Sequence, residues 1–221
     1  MRPLRLCGYI HPLWRTNGHG DLPGKRTAYY AISVSCEDIM KIMSKGRSNK
    51  LAGQIGEYLV CAELGRRGLI ATPFSGNVPT FDILATDEMC RTVPIQVKAS
   101  RSDNWPSDAR LWMKIVVDGE TKVQNYLGPI QIPNPELIYV CVSIAPPDSG
   151  RDRFFSLTKT DLQTVCINVY SRWMSKRDWK RPCTPDSYDC RYNIAYLQEF
   201  ENNWQLIEAR LAQSTPNQSL V

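Results

Sequence analysis

The sequence contains no apolar run approaching the roughly 20 residues that cross a bilayer, so no membrane-spanning helix is expected. A secretory core is also missing from its start, because Leu4 to Ile10 is short and is interrupted by Arg5 and Gly8. Neither sign of charge dominates: 27 Lys and Arg against 22 Asp and Glu leave +5, which permits a nucleic-acid partner without requiring one. The eight cysteines form no C-x-x-C pair. Cys61, Cys141 and Cys166 lie inside apolar patterns, as small buried residues do, while Cys7, Cys36, Cys90, Cys183 and Cys190 stand in more open surroundings. Reduced thiols and a cytoplasmic location are therefore expected, not a disulfide scaffold. Cys7, His11 and His19 have no recognised zinc spacing.

What is present fits one globular domain with appendages: 221 residues, 43% hydrophobic and 22% charged. The divisions expected are an extension at 1–46, a core at 47–168, and a basic, aromatic segment with a C-terminal helix at 169–221. The extension is broken up by Pro3, Pro12, Gly18, Gly20, Pro23 and Gly24, with one short strand between Ala28 and Ser35 and a scatter of basic residues.

The organising stretch runs from Asn49 to Ser100. At 100° per residue, Leu51, Ile55, Tyr58, Leu59 and Ala62 fall on one side of a helix and Val60, Cys61 and Leu64 largely on another. Glu57 points along that second apolar face, where an unpaired carboxylate is costly. Gly53 and Gly56 weaken the helix, which the close approach of a strand would explain, and Gly65 and Gly68 end it. Phe81 to Ala85 and Val93 to Ala99 then flank a polar turn as a hairpin. Period-2 alternation puts Gln96 and Lys98 on one face, and pairing near Asp82 would join an acid, an amide and an ammonium there. Two carboxylates, Glu57 and Asp82, are the minimum that magnesium takes, and a lysine alongside adds electrostatic stabilisation of phosphate. With Gln96 in place of a third carboxylate, tight metal binding is expected only when nucleic acid is present.

These residues resemble the PD-(D/E)XK nuclease superfamily, which includes many restriction enzymes and archaeal Holliday-junction resolvases. The resemblance covers about half of the chain. It rests on Glu57, Asp82 and Gln96-Val97-Lys98, with Gln96 where the commoner pattern has a carboxylate and the proline displaced to Pro79. It implies a restriction endonuclease-like αβββαβ core, a mixed sheet flanked by helices, although a helix between the strands is not obvious. It further implies Mg2+ or Mn2+ held by Glu57, Asp82 and the Val97 carbonyl, with Lys98 orienting the attacking water, and DNA as partner. No small-molecule cofactor is expected. The alternative is a catalytically inactive nuclease-fold module that binds DNA or protein, in which Glu57 and Lys98 simply form a buried ion pair.

Downstream, Arg101 to Asp108 reads as a loop, Leu111 to Val117 as a strand, Tyr126 to Pro135 as irregular, and Leu137 to Ala145 as a central buried strand. Arg153 to Leu157 returns as a strand, and Thr158 or Thr160 caps the next helix. Ser100 shares the face of Lys98, where it could contact phosphate or equally cap the strand end. Arg172, Lys176, Arg177, Lys180 and Arg181, interleaved with tryptophan, suit nucleic-acid contact as well as a solvated face over buried rings. Ile194 to Leu211 reads as one amphipathic helix that folds back on the domain or makes a homodimer contact.

Overall fold

A computed structural model of the chain describes residues 36–74, 80–147 and 150–214, with side chains from residue 48 onward. The strand at Ala28 to Ser35, the Cys7, His11 and His19 grouping, the basic residues of the extension and Pro79 lie outside the described residues. Among those described, no helix is long and apolar enough to cross a membrane.

Helix α1, Cys36–Arg66, begins well before Asn49. It ends as expected: Gly68 takes φ +81° and the Leu69 N–H reaches back to the Leu64 carbonyl at 3.1 Å. The strands follow as β1 (Ile70–Pro73), β2 (Ile83–Thr86), β3 (Thr92–Ser100), β4 (Asn104–Asp108), β5 (Met113–Val117), β6 (Gln124–Pro129), β7 (Ile138–Ser143) and β8 (Arg153–Thr158). Helix α2 (Lys159–Ser175), β9 (Asp189–Asn193) and α3 (Gln205–Gln213) complete the order. The central sheet is β1-β2-β3-β7-β8, with β3 and β7 parallel and the other neighbours antiparallel. The chain is thus α/β with a central mixed sheet flanked by helices, as expected. The second helix differs in place: the β3–β7 connection carries β4, a 3-10 turn at Ala109–Leu111 and the β5-β6 hairpin, and α2 follows β8.

Both faces of the sheet are covered, which is why β7 is buried at every residue. One face, with Ile83, Ile95, Val97, Val140 and Val142, packs under Val60 and Leu64 of α1 and Ile207 and Leu211 of α3. The other, with Tyr139, Cys141, Phe155 and Leu157, packs under Leu162, Val165 and Cys166 of α2 and the aromatic residues Trp105 and Tyr192. Thr158 caps α2 in a reciprocal arrangement with Asp161, which accepts from the Thr158 N–H at 2.9 Å while Thr158 Oγ1 accepts from the Asp161 N–H at 3.1 Å. The six cysteines whose side chains are described are free. Cys190, expected in an open position, is buried, and burial pushes the Cys141 thiol up to about 12.

Three expectations need correction. Arg101 to Asp108 is not all loop: Asn104–Asp108 forms β4, paired with β9, and Trp105 stacks on Tyr192 at 5.8 Å. Pro106 is tolerated because this two-stranded ribbon has a free edge. Tyr126 to Pro135 is not wholly irregular, since Gln124–Pro129 pairs with β5. Ile194 to Leu211 is not one helix but two 3-10 turns, Ile194–Tyr196 and Gln198–Phe200, followed by α3. Its apolar residues serve opposite faces of the sheet, Leu197 and Phe200 one core and Trp204, Ile207 and Leu211 the other, which a straight helix cannot reach together. Asn202 at φ +53° makes the break, and its N–H bonds the Phe154 carbonyl at 2.8 Å.

Glu201 anchors that break through two 2.7 Å bonds from Arg153. Those bonds hold the Glu201 carboxyl below its ordinary value of 4.5. Its contribution is therefore present above about pH 4.5 and is lost as pH falls through the lower folded value. Glu201→Gln is expected to cost on the order of 1 kcal/mol at pH 7 and less at pH 3, read from denaturant melts at both pH values. An equal loss at both would sink this account.

Candidate metal site

Asp82 stands just before β2, and its own N–H bonds the Ile95 carbonyl at 2.9 Å. Its carboxylate Oδ2 accepts from the Val97 N–H at 2.7 Å and from Gln96 Nε2. The pairing near Gln96 expected from alternation is what places the acid there. Gln96 sits in register with Tyr139 and Lys98 with Cys141, on the α2 side of the sheet, while Val97 faces α1. The carbonyl of a strand residue points to the same edge as its N–H, so the Val97 carbonyl also lies on the Asp82 side.

Glu57 comes to this edge from α1. A Cβ on Gly56 would overlap the Ala99 Cβ and lie 3.4 Å from Val97 Cγ1, so the helix rests directly on β3 at the residue preceding the acid. Gly53 has nothing within 4 Å, and strand approach explains only one of the two glycines. Burial raises the Glu57 carboxyl above its ordinary 4.5, and the negative charge of Asp82 raises it further. The two acids therefore feel one another. Among the described residues neither has an ion-pair partner, so the buried Glu57–Lys98 pair is absent. No three His, Cys, Asp or Glu side chains gather there or elsewhere among those residues, and the acids of the site number two.

Lys98 is exposed, and its carbonyl accepts from Trp105 Nε1 at 2.8 Å. Its side chain lines a groove of about 570 Å³. Ser100 also lines that groove but is only 8% exposed, and its hydroxyl donates to the Asn104 carbonyl at 2.8 Å, closing the β3–β4 turn as the strand-end reading has it.

The basic segment begins as the last turn of α2. Arg172, Lys176, Arg177 and Lys180 are exposed. Arg177 and Arg181 lie over the Trp173 ring at 4.0 and 4.9 Å, and Trp179 stacks on Tyr126 at 6.0 Å, so both rings already have neighbours. Arg191, unremarked in the sequence, also lines the Lys98 groove. The alternation of Asp189-Cys190-Arg191-Tyr192, with Cys190 and Tyr192 buried, was the available signal for its strand.

No protein-family model and no curated protein matches the chain. Among solved structures, it is similar to the bacterial homing endonuclease I-Ssp6803I, with 13% identity over 75% of this chain and 97% of that one and a TM-score of 0.40. It is also similar to Hjc, a Holliday junction resolvase of Archaeoglobus fulgidus, with 13% identity, 66% and 88% coverage and a TM-score of 0.33. Both likenesses are weak, and neither assigns a residue of this chain.

Proposed function

We propose that this chain is a divalent-metal-dependent endonuclease that hydrolyses DNA phosphodiester bonds, a variant of the PD-(D/E)XK pattern with Gln96 in its third motif. The observation that carries the reading is the convergence of Asp82, Gln96 and the Val97 backbone, with Glu57 close enough to feel the Asp82 charge. In this reading residues 47–168 form the nuclease core, and of 169–221 the described part, 169–214, packs on it.

The donor set suits Mg2+ or Mn2+: two mutually repelling carboxylates with no ion-pair partner among the described residues, and backbone oxygen on the same edge. Glu57, Asp82 and the Val97 carbonyl would hold the ion, with the Gln96 amide oxygen as a neutral addition. Bound there, the metal supplies Lewis acidity toward a phosphate oxygen and a more acidic water. The rest falls to the chain. The Val97 N–H and the Gln96 amide hold the Asp82 carboxylate in orientation. Lys98, exposed at the groove, orients the attacking water and meets the negative charge that develops on the phosphate.

The direct test is nicking of plasmid DNA in magnesium, abolished by a chelator. Manganese gives a second measure. At a hundredfold excess over Kd it should stabilise the folded chain by about 2.7 kcal/mol, roughly 5–10 °C in Tm for this size, with no shift in Asp82→Asn. Equal shifts in both proteins would place the ion elsewhere.

One observation favours a binding-only module: Asp82 is already satisfied by two protein donors without a cation. DNA binding with no nicking in magnesium or manganese would decide for that reading.

A further inference from the structure

The groove at Lys98 has a one-sided chemistry. One wall is α1 at Ser48, Asn49 and Ala52; the other is β4 at Asn104 and Pro106. Lys98, Arg101 and Arg191 bring three positive charges to it, and no acid among the described residues lines it. Arg101 has no ion pair among the described residues. Arg191 is held only by Asp189 at 2.9 Å, with the two side chains 67% and 45% exposed, a pair weak enough to yield to a phosphate.

Arg191 also lines a second hollow, of about 180 Å³, with Trp173, Arg181 and Asp189. There the Arg181 guanidinium lies over Tyr170 at 5.5 Å and donates through Nη2 to the Asp189 carbonyl, while its buried Nε has no acceptor. The two hollows share Arg191, so Lys98 and Arg101 lie to one side of it and Arg181 to the other, across the β4–β9 ribbon. Trp105, which lines the first groove, is 2% exposed, and Trp173 in the second, 37% exposed, already lies under Arg177 and Arg181, so a stacking base would have to displace a guanidinium.

We infer that the β4–β9 ribbon is a phosphate track that takes the nucleic-acid backbone without regard to sequence, as it leads away from the bond held at Lys98. The inference rests on the nuclease reading for its direction, and on the ribbon's own charge for its existence. Phosphate contacts position a nucleic acid and carry no base information, whereas base-edge contacts carry it. Positive charge is what Lys98, Arg101, Arg191 and Arg181 bring to this surface.

The test uses the full chain with chelator present, two labelled duplexes of unrelated sequence, and a salt series read by fluorescence anisotropy. Arg101→Ala and Arg191→Ala are each expected to weaken both duplexes alike, by roughly 3- to 10-fold, and to flatten the slope of log affinity against log salt by about one. Arg101→Lys and Arg191→Lys should restore most of the slope, since a phosphate needs the charge. Unchanged slopes in both alanine variants, or loss on one sequence alone, would overturn the track. A wild type that nicks DNA while the alanine variants bind normally defeats the track and leaves the nuclease standing. A wild type that binds with the expected slope but never nicks does the opposite. Absence of both binding and nicking defeats the two together.

Discussion

Asp82→Asn is expected to reduce magnesium-dependent nicking by at least about a thousandfold, and Lys98→Ala by about a hundred- to a thousandfold. The aspartate variant keeps an oxygen for the Val97 N–H, so the β2–β3 hairpin retains its bond while the site loses one of two negative charges. Lewis-acid stabilisation of a phosphoryl oxygen is worth several kcal/mol, and each 1.36 kcal/mol is tenfold in rate. The lysine variant loses one positive group at the groove and no packing, because its side chain is exposed. Neither variant should lower Tm in chelator by more than a degree or two, which separates lost chemistry from lost fold. Nicking at the wild-type rate by Asp82→Asn would end the metal-site reading outright.

The second large effect is a contrast between two glycines three residues apart on one helix. Gly53→Ala should stabilise the chain by roughly 0.5–1 kcal/mol, because an added methyl meets open space and alanine is the better helix former. Gly56→Ala gains the same propensity but drives a methyl into the Ala99 Cβ, and neither that strand methyl nor its backbone can move aside cheaply. Overpacking of this kind typically costs 1–3 kcal/mol, so the net sign reverses. The helix must also lift from β3, carrying Glu57 away from Asp82, and nicking should fall further than stability alone explains. Denaturant melts of the two variants check the signs. If Gly56→Ala proved as stable as Gly53→Ala, the intimate α1–β3 contact would be wrong.

Much of this site was legible because its parts are local. The Val60 and Leu64 side of α1, the left-handed Gly68, and the period-2 pattern around Gln96-Val97-Lys98 each follow from steric and burial rules acting over a few residues, whereas Leu51 and Tyr58 on the helix's other apolar side are exposed. The hairpin turn is equally local: Asp87 accepts from the Met89 and Arg91 N–H groups at 3.0 and 2.9 Å, and register then brings Asp82 to Gln96. Ser100 was open between two roles for a related reason. Alternation gives its face, but its inward turn depends on the Asn104 carbonyl and on Asp103, held by Ser143 from the neighbouring strand.

Sequence alone therefore determined the helix, the hairpin and the three-part polar pattern, since each is set by interactions between near neighbours in the chain. Tertiary structure decided the rest. The pairing of β4 with the distant β9, the break at Asn202 that lets one terminal segment serve two cores, and the sharing of Arg191 between two basic hollows have no local signature. Each depends on which buried surfaces are left to cover once the sheet has formed, and that is a property of the packed whole.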